Sequence, residues 1–308
     1  MNRGVQVQGI LVVNKSKGMT SHDVVARVRR IFKTRQVGHT GTLDPDAEGV
    51  LPVLIGRATK LSDILTSEEK SYVARVKLGL VTDTYDISGA VKEENTVNVT
   101  EEDIKKTADE FLGVQMQIPP MYSAIKIDGK KLYQLAREGI EVERPAREIE
   151  ISKISCFDFD LKNSSFSLEV CCSKGTYIRS LCHDLGKRLG CGAVMSELLR
   201  TKSGAFTIDM AHSLEEISES FEKGEAENLL ISIDAALGAY PKVLVSEENA
   251  KKIRNGLRLR TNQLGIGTAK ENDVFRFYDS NGLLCLSSVI RDDSGSLVLK
   301  LEKTFFNC

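Results

Sequence analysis

Gly38-His39-Thr40-Gly41-Thr42-Leu43-Asp44-Pro45-Asp46-Ala47-Glu48-Gly49, running straight into Val50-Leu51-Pro52-Val53-Leu54-Ile55, is the stretch on which the reading turns. Three glycines permit tight or left-handed backbone. Pro45 fixes its own φ and pushes Asp44 toward an extended conformation. Such a loop can hold one carboxylate, Asp44, at a set angle. Composition alone also allows an ordinary turn rich in turn formers. The apolar run from Leu51 to Ile55 predicts a buried strand directly after the loop.

Working outward, Ile10 to Val13 reads as a strand. Ser21 opens a helix whose Val24, Val25, Val28 and Ile31 share a face. Downstream, Tyr72 to Leu80 alternates as a strand should. Thr100 with Asp103 predicts a capping box at the head of a helix reaching Phe111. Gln117 to Arg147 differs in character, with paired Pro119 and Pro120, an Asp128-Gly129 turn, a short helix around Leu132 to Glu138, and mixed charge. It reads as a projecting insertion. Phe166 to Cys172 is a further strand. It turns at Lys174-Gly175 into a helix with Ile178, Leu181, Cys182, Leu185 and Leu189 on one face. Ser213 with Glu216 caps an acidic helix, and Pro241 marks a domain boundary. The tail reads as a short helix from Ser246 to Asn255 and strands around Phe275, Leu284 and Leu297. The expectation is a mixed α/β (α+β) chain, with one unit at 1–240 and a small β-rich unit at 241–308.

The 308 residues suffice for a well-buried core. Hydrophobic content of 41% with 28% charged residues argues against disorder and fibrous classes. No apolar run approaches a membrane span, and the N-terminus lacks a signal-peptide cleavage site, so a cytoplasmic protein is expected. Seven cysteines without a regular framework fit reduced thiols. The net charge of −1 does not announce a nucleic-acid partner, but its distribution does more. Arg27, Arg29, Arg30, Lys33 and Arg35 form one acid-free basic run. Lys251, Lys252, Arg254, Arg258 and Arg260 form another. Either can be a solvated helix face; the pair leans toward a polyanion.

Five stretches, in order, carry a resemblance. They are GHTGTLDPDAEGVLPVLIGRATK from Gly38, KSYVARVKLGLVTDTYDISG from Lys70, QIPPMYSAIKIDGKKLYQLAREGIEVERPAR from Gln117, SKGTYIRSLCHDLG from Ser173 and MSELLRTKSGAF from Met195. Together they resemble the motifs of the bacterial tRNA pseudouridine-55 synthases, the TruB type. The family usually has Lys-Pro before the glycine of an earlier motif; this chain has Lys15-Ser16-Lys17-Gly18. The resemblance implies an antiparallel-rich mixed-sheet catalytic domain with an inserted thumb at about 117–147, and a PUA-type RNA-binding tail from about Pro241. It implies isomerisation of a uridine in the T-arm of tRNA, with Asp44 as the catalytic carboxylate and Arg179 as its counter-charge. Tyr72 would lie against the uracil and take the C5 proton. Tyr177 would hold the flipped nucleotide, Leu198 would touch the base, and His39 would fill the vacated space in the RNA. The isomerisation gains and loses no atom, so no cofactor is expected. Nothing in the sequence points to a metal site or an obligate protein partner.

Read as residue types alone, Tyr72 and Tyr177 are also plain core-edge tyrosines, Leu198 a core leucine, His39 a turn histidine and Arg179 a helix-start surface arginine. Rival functions follow: an RNA binder without chemistry, a synthase acting on ribosomal RNA, or a metal-dependent RNA hydrolase. Cys171, Cys172, Cys182, His183 and Cys191 lack the C-x-x-C pair of a zinc site. No Walker A sequence or G-x-S-x-G elbow occurs.

Overall fold

The computed structural model describes residues 7–127 and 129–306. Met1 to Gln6 of the N-terminal stretch and Asp128 of the predicted turn lie outside the described residues. The chain begins with β1 (Gly9–Lys15) and α1 (Ser21–Ile31), whose first turn is closed by a Thr20/Asp23 capping box and whose Val24, Val25 and Val28 are buried. β2 (Val37–His39) and β3 (Glu48–Ile55) bracket the Asp44 loop. After α2 (Ser62–Thr66) comes β4 (Lys70–Leu78), which begins and ends two residues before the predicted strand; it stops at Leu78 because Gly79 takes φ +83° and starts a hairpin of β5 (Leu80–Thr82) and β6 (Val91–Glu94). α3 (Glu101–Asp109) opens on the predicted Thr100/Asp103 box and ends before Phe111, which is buried just past it.

β7 (Gly113–Gln117) leads into the insertion, which holds β8 (Lys126–Ile127), β9 (Lys130–Lys131) and α4 (Leu132–Arg137). β10 (Arg147–Asp160) and β11 (Ser165–Cys172) return the chain to the body. Then come α5 (Ile178–Arg188), β12 (Ala193–Ser203), β13 (Phe206–Thr207), α6 (Leu214–Glu222), β14 (Leu230–Ile231) and α7 (Ile233–Ala236). The tail consists of β15 (Lys242–Leu244), α8 (Glu247–Arg254), β16 (Val274–Asp279), β17 (Gly282–Arg291) and β18 (Leu297–Thr304).

The main sheet runs β14-β1-β3-β12-β4-β11-β10-β7, with β2 beside β3 and β13 beside β12. All its pairings are antiparallel except β12 with β3, where Leu199 faces Glu48 and Arg200 faces Gly49. This one parallel seam lies where the Asp44 loop enters β3. Gly49 sits there at φ +100°, and an added Cβ would come within 2.3 Å of the Arg200 carbonyl oxygen, so the close approach requires glycine.

Period-two alternation sorts each strand between two faces. On one face Leu11, Val13, Leu51, Val53, Ala74, Val76, Leu168 and Val170 pack with α1, α3 and α5 into the main core. On the other, Ile10, Val12, Val50 and Leu54 pack with Leu61, Phe206 and Leu237, and with Leu286 and Phe305 of the tail. The tail forms its own four-stranded sheet, β15-β16-β17-β18, with a separate core around Phe277, Leu284 and Val289. Its last strand is bound to the body: Arg57 donates to the Phe305 carbonyl, Lys60 Nζ to the Thr304 carbonyl at 2.8 Å, and Lys303 pairs with Asp63 at 2.7 Å. No helix of the described residues is long and apolar enough to cross a membrane.

Candidate active site

The Asp44 loop is fastened from three directions. From the N-terminal side, Ser21 Oγ donates to the Leu43 carbonyl at 3.1 Å and accepts from the Leu43 amide at 2.9 Å. The Pro45 carbonyl, one residue past Asp44, accepts from the Gly18 amide at 2.9 Å and from Lys15 Nζ at 3.0 Å. The Lys15-to-Gly18 segment, which lacks the proline usual in the resembling family, therefore still reaches the loop through its lysine and its glycine.

From beneath, Arg200 spans the loop's two ends. Its Nε donates to the Val50 carbonyl at 2.7 Å and its Nη2 to the Gly41 carbonyl at 3.2 Å. Lys15 and Arg200 are both fully buried. A buried cation is costly unless its protons are bonded. Here backbone carbonyls of the loop and its margins supply the bonds, which orders the loop backbone. Burial pushes the Lys15 amine below its ordinary value, and the charges of Glu48, Asp44 and Asp46 oppose that.

From the third side comes Arg179, in the first turn of α5. The Ser173-to-Tyr177 turn lets Tyr177 cap this helix from extended backbone, which places Arg179 one residue inside it. Arg179 Nη2 lies 3.0 Å from Asp44 Oδ2 and donates to the Tyr122 carbonyl at 2.9 Å. Its Nη1 donates to the Thr84 carbonyl at 3.3 Å and lies 3.5 Å from Asp86 Oδ2. The Arg179 side chain is only 7% exposed, whereas that of Asp44 is 45% exposed. A buried, many-partnered guanidinium thus presents a half-open carboxylate to solvent.

Of the residues singled out in the sequence, Asp44 and Arg179 are brought into direct contact. Tyr72 and Tyr177 lie near enough for the Asp44 charge to act on both phenols. Burial pushes each above its ordinary value of 10, so both phenols stay protonated in the resting protein. Tyr72 on β4 is directly opposite Arg200 on β12, and Leu198 lies two residues back on the same buried face. His39 ends β2 at the root of the loop, with its ring 6.0 Å from that of His22. Its Nδ1 is buried and has no hydrogen-bond partner among the described residues. Burial, then His22 and Arg200, hold the imidazole below its ordinary 6.5 and hence neutral near pH 7.

Sequence reasoning missed four supporting groups: Lys15, Asp86, Gln117 and Arg200. Lys15 and Arg200 carried a legible signal, since each is a cation in the buried phase of a strand, in step with Val13 and Leu198. Gln117 gave none. Its amide nitrogen donates to the Tyr177 carbonyl at 3.0 Å and its oxygen accepts from the Tyr177 amide at 2.8 Å, which joins the end of β7 to the start of α5. Of the second basic run, Lys252 pairs with Glu248 at 2.6 Å and Arg254 with Glu247 at 3.0 Å and with Asp279.

Comparison with known proteins bears directly on this geometry. The profile described as "TruB family pseudouridylate synthase (N terminal domain)" matches residues 29–178, and that of the "tRNA pseudouridylate synthase B C-terminal domain" matches residues 179–238. The tRNA pseudouridine synthase B of Clostridium perfringens (strain ATCC 13124) is 45% identical over 298 residues, 96% of this chain and 98% of its own. The chain belongs to the TruB family of pseudouridylate synthases. The Bacillus cytotoxicus tRNA pseudouridine synthase B is 48% identical over 260 residues, covering 82% of this TruB-family chain and 85% of its own. Among solved structures, a Cbf5-Nop10-Gar1 complex matches with a TM-score of 0.75 at 27% identity, over 98% of this chain and 85% of that one. An H/ACA RNP bound to a substrate RNA containing 2′-deoxyuridine matches with a TM-score of 0.73 at 25% identity, over 98% and 86%. This TruB-family protein is a tRNA pseudouridine synthase, an isomerase that converts uridine in tRNA to pseudouridine. The mixed α/β, sheet-rich fold agrees with the reading of the sequence.

Proposed function

We propose that the substrate is uridine 55 in the T-arm loop of tRNA, that the base is flipped out of its stack, and that Asp44 is the group that reacts with it. The observation that carries this reading is the 3.0 Å contact between buried Arg179 and half-exposed Asp44 at the tip of a fastened loop. The isomerisation breaks the N1–C1′ bond and joins C5 to C1′. Attack at C1′, addition at C6 and removal of a sugar proton all begin from a carboxylate with a fixed orientation. Arg179 supplies a counter-charge beside the Asp44 carboxylate and fixes its direction.

Tyr72, protonated at rest, serves first as a surface against the uracil; accepting the C5 proton would require prior loss of its own. Neutral, half-buried His39 at the loop root fits an apolar wedge that takes the space of the flipped base better than a charged phosphate contact. Tyr177 and Leu198 complete the walls. The thumb closes over the RNA, and residues 241–308 add an RNA-binding surface through Lys251, Arg258 and Arg260. The enzyme works on tRNA in the cytoplasm, without an obligate protein partner and without a metal or organic cofactor.

The test is a nucleoside assay. Wild type and Asp44→Asn are incubated with an unmodified T-arm hairpin in excess chelator, and the digested RNA is analysed by chromatography. Pseudouridine at one loop position with wild type, and none with Asp44→Asn despite retained hairpin binding, is the expected result. Turnover by Asp44→Asn at the wild-type rate would remove Asp44 from the chemistry.

A further inference from the structure

Between the two groups that meet Arg179 from the β5–β6 hairpin stands a residue of the stretch quoted from Lys70 to which the reading above gives no role. Thr84 offers its carbonyl and Asp86 its carboxylate to the guanidinium, and Tyr85 lies between them at φ +64°. A tyrosine in the left-handed region is uncommon, because its Cβ crowds the backbone, and it persists only where surroundings over-determine it. Two constraints do so here. The Tyr85 carbonyl accepts from the Met195 amide at 3.1 Å, and the Ile87 amide donates to the Met195 carbonyl at 2.9 Å, so the turn is stitched to β12 on both sides of Asp86. The Tyr85 ring is stacked on His183, with centroids 4.0 Å apart and planes 13° from parallel.

His183 lies on α5 one turn beyond Arg179. Its Nδ1 is buried without a hydrogen-bond partner among the described residues, so that nitrogen does not anchor the ring and the stack on Tyr85 orients it. The turn therefore grips α5 at two successive levels, ring on ring at His183 and carboxylate on guanidinium at Arg179. Asp86 is itself braced: its Oδ1 accepts from Thr84 Oγ1 at 2.8 Å and Ser88 Oγ at 2.6 Å, and its carbonyl accepts from Thr82 Oγ1 at 2.7 Å. Asp86 and Thr84 can aim at Arg179 together only while the backbone between them reverses at Tyr85.

We propose that Tyr85 is a positioning residue: stacked on His183, it locks the turn that presses the Thr84 carbonyl and the Asp86 carboxylate onto Arg179, and so fixes the guanidinium against Asp44. This deepens, and rests on, the reading of Arg179 and Asp44 given above.

Tyr85→Gly tests it, because glycine takes φ +64° without strain while the ring is lost, and His183→Ala removes the same stack without touching the backbone of the turn. Single-turnover rate, hairpin dissociation constant and melting temperature are measured for full-length wild type, Tyr85→Gly, Tyr85→Phe and Asp44→Asn. Tyr85→Gly is expected to lose on the order of 10–100-fold in single-turnover rate while binding the hairpin within about twofold, as for a group acting on the transition state alone. Phenylalanine keeps the stack and restores the rate to within about twofold of wild type. His183→Ala reproduces the loss, and the Tyr85→Gly/His183→Ala double variant is no slower than the worse single one. If Tyr85→Gly melts below the assay temperature, Tyr85→Asn, which also tolerates the left-handed region, carries the same test. A wild-type rate in the ring-free variants overturns the proposal. So does an equal loss in Tyr85→Phe, or a loss confined to hairpin affinity. Asp44→Asn separates the two readings: if it retains turnover, the Asp44 assignment fails whatever the Tyr85 variants do.

Discussion

The Asp44 loop and the thumb are both irregular segments, yet they are held in opposite ways. The loop is short and every margin of it is bonded. Ser21 grips Leu43, Lys15 and Gly18 grip Pro45, Arg200 grips Gly41 and Val50, and Arg179 meets Asp44. The thumb spans about 30 residues but owns a small core, Met121, Leu132 and Leu135, with partly buried Tyr122, Ile125 and Val142 around it. Burying three such side chains contributes about 2 kcal/mol each. Ordering each residue costs about 1–2 kcal/mol of backbone entropy. The thumb therefore depends on its attachments to α5 and its cap: the Gln117 amide on Tyr177, Ser180 Oγ on the Ile118 carbonyl at 2.9 Å, and Arg179 on the Tyr122 carbonyl. On the function proposed above, the division suits an enzyme whose reacting carboxylate must not move and whose clamp must open for a folded RNA.

The sharpest way to break that comparison is to unpin the loop. Arg200→Met keeps an apolar chain under the loop but removes both donors. The Gly41 and Val50 carbonyls then lose their partners, at about 1–3 kcal/mol for each group left unsatisfied. The expected outcome is a fall in single-turnover rate of about 100-fold, from misplacement of Asp44, with hairpin affinity retained. Stopped single-turnover assays with parallel filter binding would read both quantities. A loss in affinity equal to the loss in rate would mean that the loop is a binding surface and not a fixed mount.

A smaller effect, opposite in kind, is expected from the thumb. Leu132→Ala empties the centre of its cluster at a local cost of about 2–4 kcal/mol. If the ordered thumb is the binding-competent state, apparent affinity falls by about tenfold for each 1.4 kcal/mol of lost order. The rate at saturating hairpin should hardly change, and neither should the main melting transition, because Leu132 belongs to a cluster separate from the main core. A rate defect that saturating RNA does not restore would show that the thumb, too, is part of the fixed machinery.

Much of this contrast is legible in the amino-acid sequence. The helical face of Val24, Val25 and Val28, the Thr100/Asp103 box and the Ser213/Glu216 box lie where the spacing put them, because each is set by neighbours within one turn. The Tyr177-Ile178-Arg179 stretch was legible as a motif, and its arginine does meet Asp44. β10 and β12 were not legible as long strands. Both carry register shifts that break strict alternation, near Ile151 and Phe157 in one and near Met195 and Arg200 in the other. Gln117 was invisible because a buried amide that serves another residue's backbone has no periodicity. Residues 241–308 read as a small β-rich unit, and the sharing of a cluster by its Leu286 and Phe305 with Ile10 and Leu54 is a contact that only the tertiary fold creates.

The smallest effect sharpens the account of what lies beneath the loop. Lys70, at the head of β4, is buried, and its Nζ donates to the Thr66 and Glu68 carbonyls at 3.0 and 2.8 Å. Burial, seconded by the charge of Arg200, lowers its amine from 10.5 to about 8. The unfolded chain then binds a proton that the folded one releases, between pH about 8 and 10.5. In that window stability rises with pH; below it both states are protonated and the burial cost is fully present. Other groups titrate in the same range, so the informative quantity is the wild-type stability minus that of Lys70→Met, from urea unfolding at fixed temperature. That difference should be flat from pH 6 to about 8 and climb toward pH 10. A difference that stays level or falls above pH 8 would mean that the Lys70 ammonium is fully compensated by its two carbonyls. The cations under the loop would then be anchors without a desolvation cost, and the loop's rigidity would have to come from the carbonyl bonds alone.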